Sequence, residues 1–320
     1  MKSIAGLLSI LLVLVLLITV FACTAKPEKH YHIAIVIPKS GTSHGTDGFI
    51  ASLDSRGYVS GENTTFYFRE NNEGLEDFIN RMVERKVDLI FTITTPVTRT
   101  VKKLTEKKEI PVIFVVNNPV NSNIVESIKH PGGNLTGIQL SGSTPKTLEW
   151  LKSIFHDMAT IWVPVSFDTK AALQCFNELE KAAKKLDVKI LLSEVTNKEE
   201  LIESLQSIPA EAEAVFTFHS ILINSNLEII SKKAIEKKLP VASSGHVQYK
   251  KGALLSYGVS HYEAAFHAGR LAESVLQGAR PSHLPVEMAD FFLGLNLQTA
   301  SRINVHIADH VIDQANFVIQ

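Results

Sequence analysis

The sequence predicts an α/β protein of two Rossmann-like lobes, each with a parallel sheet, joined by a multi-strand hinge. Three observations carry this expectation. Short β-branched runs alternate with longer amphipathic stretches along most of the chain, the pattern of strand–helix–strand crossovers. The alternation runs through once by about residue 140 and then begins again, giving two similar halves. Beyond an apolar leader, roughly 300 residues remain, more than one hydrophobic core usually serves.

The first run, 33–37, is Ile-Ala-Ile-Val-Ile stopped by Pro38, which suits a strand buried on both faces. A helix is expected over 48–56, with Phe49, Ile50 and Leu53 on one side and Gly57 just past its end. A strand follows at 64–68, a helix at 78–86, a strand at 88–93 ending on Thr94-Thr95-Pro96, a basic helix at 97–107 and a strand at 112–116. Pro131-Gly132-Gly133-Asn134 is a turn before a strand at 135–140, and 141–145 is a polar joint before a helix at 146–155. The second series has strands at 160–165, 188–192, 214–218 and 241–243, separated by helices at 171–186, 198–207 and 226–238. The tail, with strands at 254–259 and 291–297 around a helix at 262–277, reads as an exchange of segments between lobes. The expected division is therefore 31–142 plus 257–285 for lobe 1, and 143–256 plus 286–320 for lobe 2. In such sheets the binding crevice lies beyond the carboxyl ends of the strands.

Lys2 precedes an apolar run from Ile4 to Ala22, broken only by Gly6, Ser9 and Thr19, and the run stops at Cys23. This is a secretory-signal pattern over residues 1–22. Val20-Phe21-Ala22-Cys23 resembles a bacterial lipoprotein cleavage box, which would make 23–30 a tether lipidated at Cys23. An uncleaved signal anchor is the alternative, since about 18 apolar residues can span a bilayer. Either way the remainder lies outside the cytoplasm, in the bacterial cell envelope. Hydrophobic residues at 45% and charged residues at 20% describe an ordinary globular protein, and a net charge of −1 gives no electrostatic reason to expect nucleic acid. With Cys23 lipidated, Cys175 has no partner, so no disulfide framework is expected, and there are too few thiols for a cysteine zinc site.

Several short motifs fall in a telling order: Gly57-Tyr58-Val59-Ser60-Gly61-Glu62-Asn63, Thr95-Pro96, Asn118-Pro119-Val120, and His130-Pro131-Gly132-Gly133-Asn134-Leu135-Thr136-Gly137. They continue with Lys251-Gly252-Ala253-Leu254-Leu255-Ser256-Tyr257-Gly258, then Gly278-Ala279-Arg280-Pro281 and Leu284-Pro285-Val286. In this order and spacing the chain resembles the ABC-transporter substrate-binding proteins of the type 1 periplasmic-binding fold, in the branch that includes tryptophan and tyrosine binders. The match runs from the first strand through Asn296-Leu297. The resemblance implies a lipoprotein that captures an amino acid or other small organic solute between its lobes and hands it to ABC permease subunits, with no catalysis and no cofactor. The family's contact positions fall on Ser40, Gly41, Thr94, Thr95, Asn117 and Asn118 in the first lobe. In the second they fall on Ser166, His219, Ser220, Ser243 and Ser244, with Ser256 and Tyr257 at the crossover. Many relatives carry Asp where this chain has Asn118 and Ser220. Their absence removes the expected countercharge for an ammonium. Hydroxyls, amides and backbone N–H groups at strand ends beside helix N-termini suit a neutral or anionic solute. Each such Ser, Thr or Asn can equally be a helix cap or turn former.

Sharper motifs are weaker on inspection. Gly41-Thr42-Ser43-His44-Gly45 matches the G-x-S-x-G nucleophile elbow, so a serine hydrolase using Ser43 is an alternative. However, Pro38 and Lys39 separate strand from turn, and the usual second oxyanion loop has no segment to supply it. The same glycines lack the Gly-Lys-Ser/Thr or G-x-G-x-x-G of a nucleotide site. His306 with His310, and His30 with His32, have no evident third ligand, so no metal is expected. Lysine pairs such as Lys102-Lys103 and Lys237-Lys238 read as solvated helix faces. Trp162, within a strand, reads as core. A ligand-sensing protein that signals to a membrane receptor would use the same two-lobed trap, and is the remaining alternative.

Overall fold

The computed structural model describes residues 29–38, 43–70 and 73–320. The signal segment, Cys23, Ser40 and Gly41 lie outside them. Two sheets form the frame. The first contains β1 (Tyr31–Ile37), β2 (Thr64–Glu70), β3 (Leu89–Ile93), β4 (Val112–Val116) and β5 (Leu135–Gln139), with β11 (Glu287–Met288) at one edge, in the order β11-β5-β4-β3-β1-β2. Every pairing in it is parallel. The second contains β6 (Thr160–Val165), β7 (Lys189–Glu194), β8 (Ala214–Thr217), β9 (Val241–Ser243), β10 (Leu255–Val259), β12 (Phe291–Asn296) and β13 (Phe317–Ile319), in the order β13-β12-β10-β9-β8-β6-β7. Only β10 and β12 pair antiparallel.

The continuous apolar runs explain the layering. Along β1, Ile33 and Ile35 join one core cluster while Ala34 and Val36 join another, because successive side chains leave opposite faces of a strand. Helices therefore cover both faces. On one face lie α1 (Ser43–Asp54) and α9 (His261–Leu276), which supply Phe49, Leu53, Ala265 and Ala268. On the other lie α2 (Leu75–Glu84) and α3 (Thr95–Thr105), which supply Phe78, Ile79, Val97 and Val101. The second sheet repeats the plan. Val163 and Phe216 face α4 (Ser143–Ile154) and α5 (Lys170–Lys185), while Trp162 and Val215 face α6 (Lys198–Gln206), α7 (Ile221–Ser225) and α8 (Leu227–Glu236). Two short helices, α10 (Leu297–Arg302) and α11 (Asp309–Ile312), complete the tail. Trp162 is fully buried, with its ring N–H donating to Ser193 Oγ at 2.8 Å.

Several helices start earlier than expected. Thr95-Pro96 and Thr144-Pro145 lie inside the first turns of α3 and α4, where proline's missing N–H costs nothing because those N–H groups have no intrahelical partner. The chain passes between the sheets after β5, after β10 and after β11. These passages fall slightly off the expected lobe limits. Tyr257, Gly258 and Val259 stay in the second sheet because they ladder against Leu293, Phe292 and Phe291, and Glu287 pairs with Ile138 of the first sheet.

Candidate functional site

A cavity of about 490 Å³ opens beyond the carboxyl ends of the strands of both sheets. That lies within the roughly 300–1,000 Å³ of small-molecule sites. The first sheet contributes Asn117 after β4 and Leu140 after β5. The second contributes His219 after β8, the segment Ser244 to Gln248 after β9, and Gly258 and Val259 from the end of β10. First-turn residues of four helices of at least twelve residues also line it: His44 of α1, Ser143 of α4, Ala171 of α5, and His261 with Tyr262 of α9. Ser260 caps α9, accepting from the Glu263 N–H at 3.2 Å, and so sets His261 at the cavity wall. Thr144 and Ser244 share a hydrogen bond of 3.2 Å that ties the β9 loop to α4.

Of the residues singled out by sequence, Asn117, His219 and Ser244 line this cavity. Asn118 lines an adjoining recess of about 40 Å³ together with Ser141, Gln174 and Glu178. Its backbone N–H donates to Ser141 Oγ at 2.8 Å, and its φ of 42° lies in the left-handed region. Thr94 and Thr95 stand at the start of α3 without reaching the cavity wall; the Thr95 hydroxyl donates to the Asn117 carbonyl at 3.4 Å. Thr94 has φ 78° and ψ 144°, a conformation close to one essentially reserved for glycine, and strain of this kind concentrates at ligand clamps.

The other hydroxyls turn inward. Ser220 is fully buried, accepts from the Ile223 N–H at 3.4 Å as the cap of α7, and donates to Asp168 Oδ2 at 3.1 Å. Ser243 accepts from Thr217 Oγ1 at 2.8 Å inside the second sheet. Ser256 is fully buried and donates to the His246 carbonyl at 3.4 Å, and Ser166 is buried at 5% exposure. Tyr257, on the opposite strand face from Ser256, stacks on Phe291 with ring centroids 5.4 Å apart. None of these five lines the cavity.

Sequence reasoning placed His219 in the site and missed three further imidazoles. His44, His246 and His261 join His219 around one cavity, and Cys175 lies beside them. Closeness in sequence pairs His306 with His310 and His30 with His32, whereas the cavity imidazoles come from four separate segments. The readable signal was position: each stands at a strand-to-helix junction. Burial lowers the His219 pKa, partly offset by Asp168; burial and then Lys250 lower that of His246; burial and then the other two imidazoles lower that of His261. His219 and His261 remain accessible from the cavity, so the low-dielectric walls act through water that screens them. Burial raises the Cys175 thiol and the Glu178 carboxyl. Among the described residues, no three His, Cys, Asp or Glu side chains converge as a metal set.

A pH dependence of stability follows. Below the ordinary histidine pKa near 6.5 the unfolded chain binds more protons than the folded one, so stability is full above about pH 7 and declines as pH falls through about 6.5. Thermal unfolding of the ligand-free protein should show its midpoint falling between pH 7.5 and 5.5. A flat profile would contradict the depressed imidazoles.

The model of the family described as "ABC transporter substrate binding protein" matches residues 32–319. The chain belongs to this family. As such a substrate-binding protein it is a non-catalytic, extracytoplasmic solute binder with the type 1 periplasmic-binding fold, and the Ser43 hydrolase alternative falls away. It is 27% identical over 270 residues to a protein named tyrosine-binding protein from Clostridioides difficile, covering 83% of this chain and 78% of the relative. Among solved structures it resembles the ligand-free, open form of a C. difficile substrate-binding protein with adhesive properties, with a TM-score of 0.78, 24% identity, and coverage of 91% and 99%. An ABC domain from Streptococcus pneumoniae in complex with L-Trp superposes with a TM-score of 0.76 at 20% identity, covering 91% and 100%. No helix among the described residues is long and apolar enough to cross a membrane.

Proposed function

We propose that this substrate-binding protein is anchored to the membrane through a lipid on Cys23, traps a small organic solute between its lobes and delivers it to an ABC permease. The observation that supports the reading best is the open cavity whose wall is shared by strand ends of both sheets. The passages after β5, β10 and β11 form the hinge between lobe 1 and lobe 2. Solute that touches both lobes stabilises the closed form by its differential affinity, and closure presents the composite surface to the permease. Tyrosine, the solute in the name of the Clostridioides relative, is the first to test.

The trap has a direct test. Small-angle scattering of the full chain in mild detergent should show compaction when a bound solute, identified by mass spectrometry of what co-purifies, is added back. Asn117, exposed at the end of β4, is the contact proposed for the first lobe. Asn117→Ala should weaken binding by about 1–3 kcal/mol, the value of a lost buried hydrogen bond, while the unfolding midpoint stays unchanged. Unaltered affinity by calorimetry would remove Asn117 from the site, and a scattering profile insensitive to every co-purified solute would remove the trap.

A further inference from the structure

The chemistry of the cavity wall points further, to the charge of what it holds. Resting on the capture reading above, we infer that the cavity takes a solute bearing an oxyanion, and that the imidazoles of His219, His246 and His261 take up a proton as it binds. The wall contains no Asp, Glu, Lys or Arg among the described residues, and its only ionisable groups apart from Cys175 and Tyr262 are four imidazoles. The amino ends of α1, α4, α5 and α9, each carrying a partial positive charge, contribute residues to the same wall. His246 Nε2 is buried without a hydrogen-bond partner, in a ring wedged against Phe292 and Phe317 at centroid distances of 5.2 and 5.5 Å. A buried nitrogen without a partner is uncommon, and its ring belongs to a residue of the cavity wall.

The surrounding charges are accounted for. Asp168, which faces His219, already accepts from the Ser220 hydroxyl and the Leu222 N–H, each at 3.1 Å. Asp47 lies 3.9 Å from His44 on the exposed side of α1. Glu178 faces Cys175 in the adjoining recess, Lys250 acts on His246, and Glu263 stands in the first turn of α9. An ammonium entering the main cavity meets four positive helix ends and no carboxylate on the wall itself. An oxyanion meets N–H donors, and its charge favours the imidazolium over the imidazole. The depressed pKa values mean that the empty cavity holds neutral rings near pH 7, so the proton arrives with the anion. Affinity must then rise as pH falls from 7.5 to 5.5, by up to about tenfold per pH unit for each proton taken up.

Three probes on the tyrosine skeleton separate the cases: 3-(4-hydroxyphenyl)propionate, the anion; tyramine, the cation; and L-tyrosine, the zwitterion. Calorimetry on the full chain at pH 5.5, 6.5 and 7.5, in buffers of different ionisation heat, reads affinity and protons together. The expected result is propionate binding at least about tenfold tighter than tyramine, with proton uptake that shrinks in His219→Gln and His261→Gln. Tyramine binding as tightly as the propionate, absence of propionate binding, or propionate binding without proton uptake overturns the inference. If L-tyrosine or tyramine still compacts the protein in scattering, capture stands and only the anion assignment falls. If none of the three, and no co-purified solute, compacts it, the capture reading falls as well.

Discussion

Gly48→Val is expected to destabilise the protein by about 3 kcal/mol or more, lowering the thermal midpoint by roughly 5–10 °C. A Cβ built at Gly48 would stand 2.2 Å from the Tyr262 carbonyl oxygen and 2.9 Å from its carbonyl carbon. Those atoms are backbone, so no rotamer change relieves the overlap. A neighbouring contact is nearly as close: a Cβ at Gly269 would lie 2.4 Å from Ser52 Cβ, while one at Gly45 would lie in ordinary contact, 3.5 Å, with the His261 carbonyl oxygen. Helices α1 and α9 touch along Gly45, Gly48, Ser52, Ala265 and Gly269, and this close approach lets Phe49 and Leu53 reach the first sheet beside Ala265 and Ala268. Valine would have to push the pair apart and open that core. Differential scanning calorimetry is the measurement. A midpoint within about 2 °C of the parent would mean that the helices part at little cost.

Gly258→Val carries the largest expected effect on binding. Its Cβ would stand 2.5 Å from the Gly245 carbonyl carbon and 2.8 Å from the His246 nitrogen. Here the obstacle is a loop following β9 and not a helix packed into a core, so the loop gives way. In moving it takes His246 and Ser244 off the cavity wall. Solute affinity should fall by about a hundredfold or more, roughly 3 kcal/mol, while the midpoint falls by less than in Gly48→Val. The two variants make the same kind of overlap in different places, and the ratio of affinity loss to stability loss distinguishes them. Near-parental binding of the co-purified solute in Gly258→Val would place the solute away from the β9 loop.

The strands were legible because their residues are buried on both faces, which leaves a continuous apolar run that no other element of that length produces. Ile33 to Ile37, Leu89 to Ile93 and Val112 to Val116 lie where the run placed them. Helix starts were less legible. Proline at 96 and 145 looks like a stop from sequence, yet in the first turn it is compatible with the helix. Beyond Leu297 the sequence assigns the chain to lobe 2 but predicts no element, since α10, α11 and β13 are too short to show a period.

For the site, the sequence pointed to strand ends and to Asn117, His219 and Ser244 of the cavity wall, but not to the rest of its side chains. Ser220, Ser243 and Ser256 are polar residues at strand ends, but their hydroxyls close hydrogen bonds at the α7 cap, within the second sheet and to the loop after β9. Nothing in a linear pattern separates such a hydroxyl from one that faces solvent. His44, His246 and His261 were hidden for the opposite reason, because only the two-lobed topology brings them to one cavity with His219.

The order in which the chain visits its sheets has a consequence for biosynthesis. Helix α9 completes the hydrophobic face that α1 begins, yet everything from Ser143 to β10 must be polymerised between them. At about 5–20 residues per second, translation leaves Phe49 and Leu53 without their partner helix for on the order of ten seconds. A chain cut short before His261 bares that face, and the preceding four-fifths of the protein stays uncovered there until the helix at 261–276 is added.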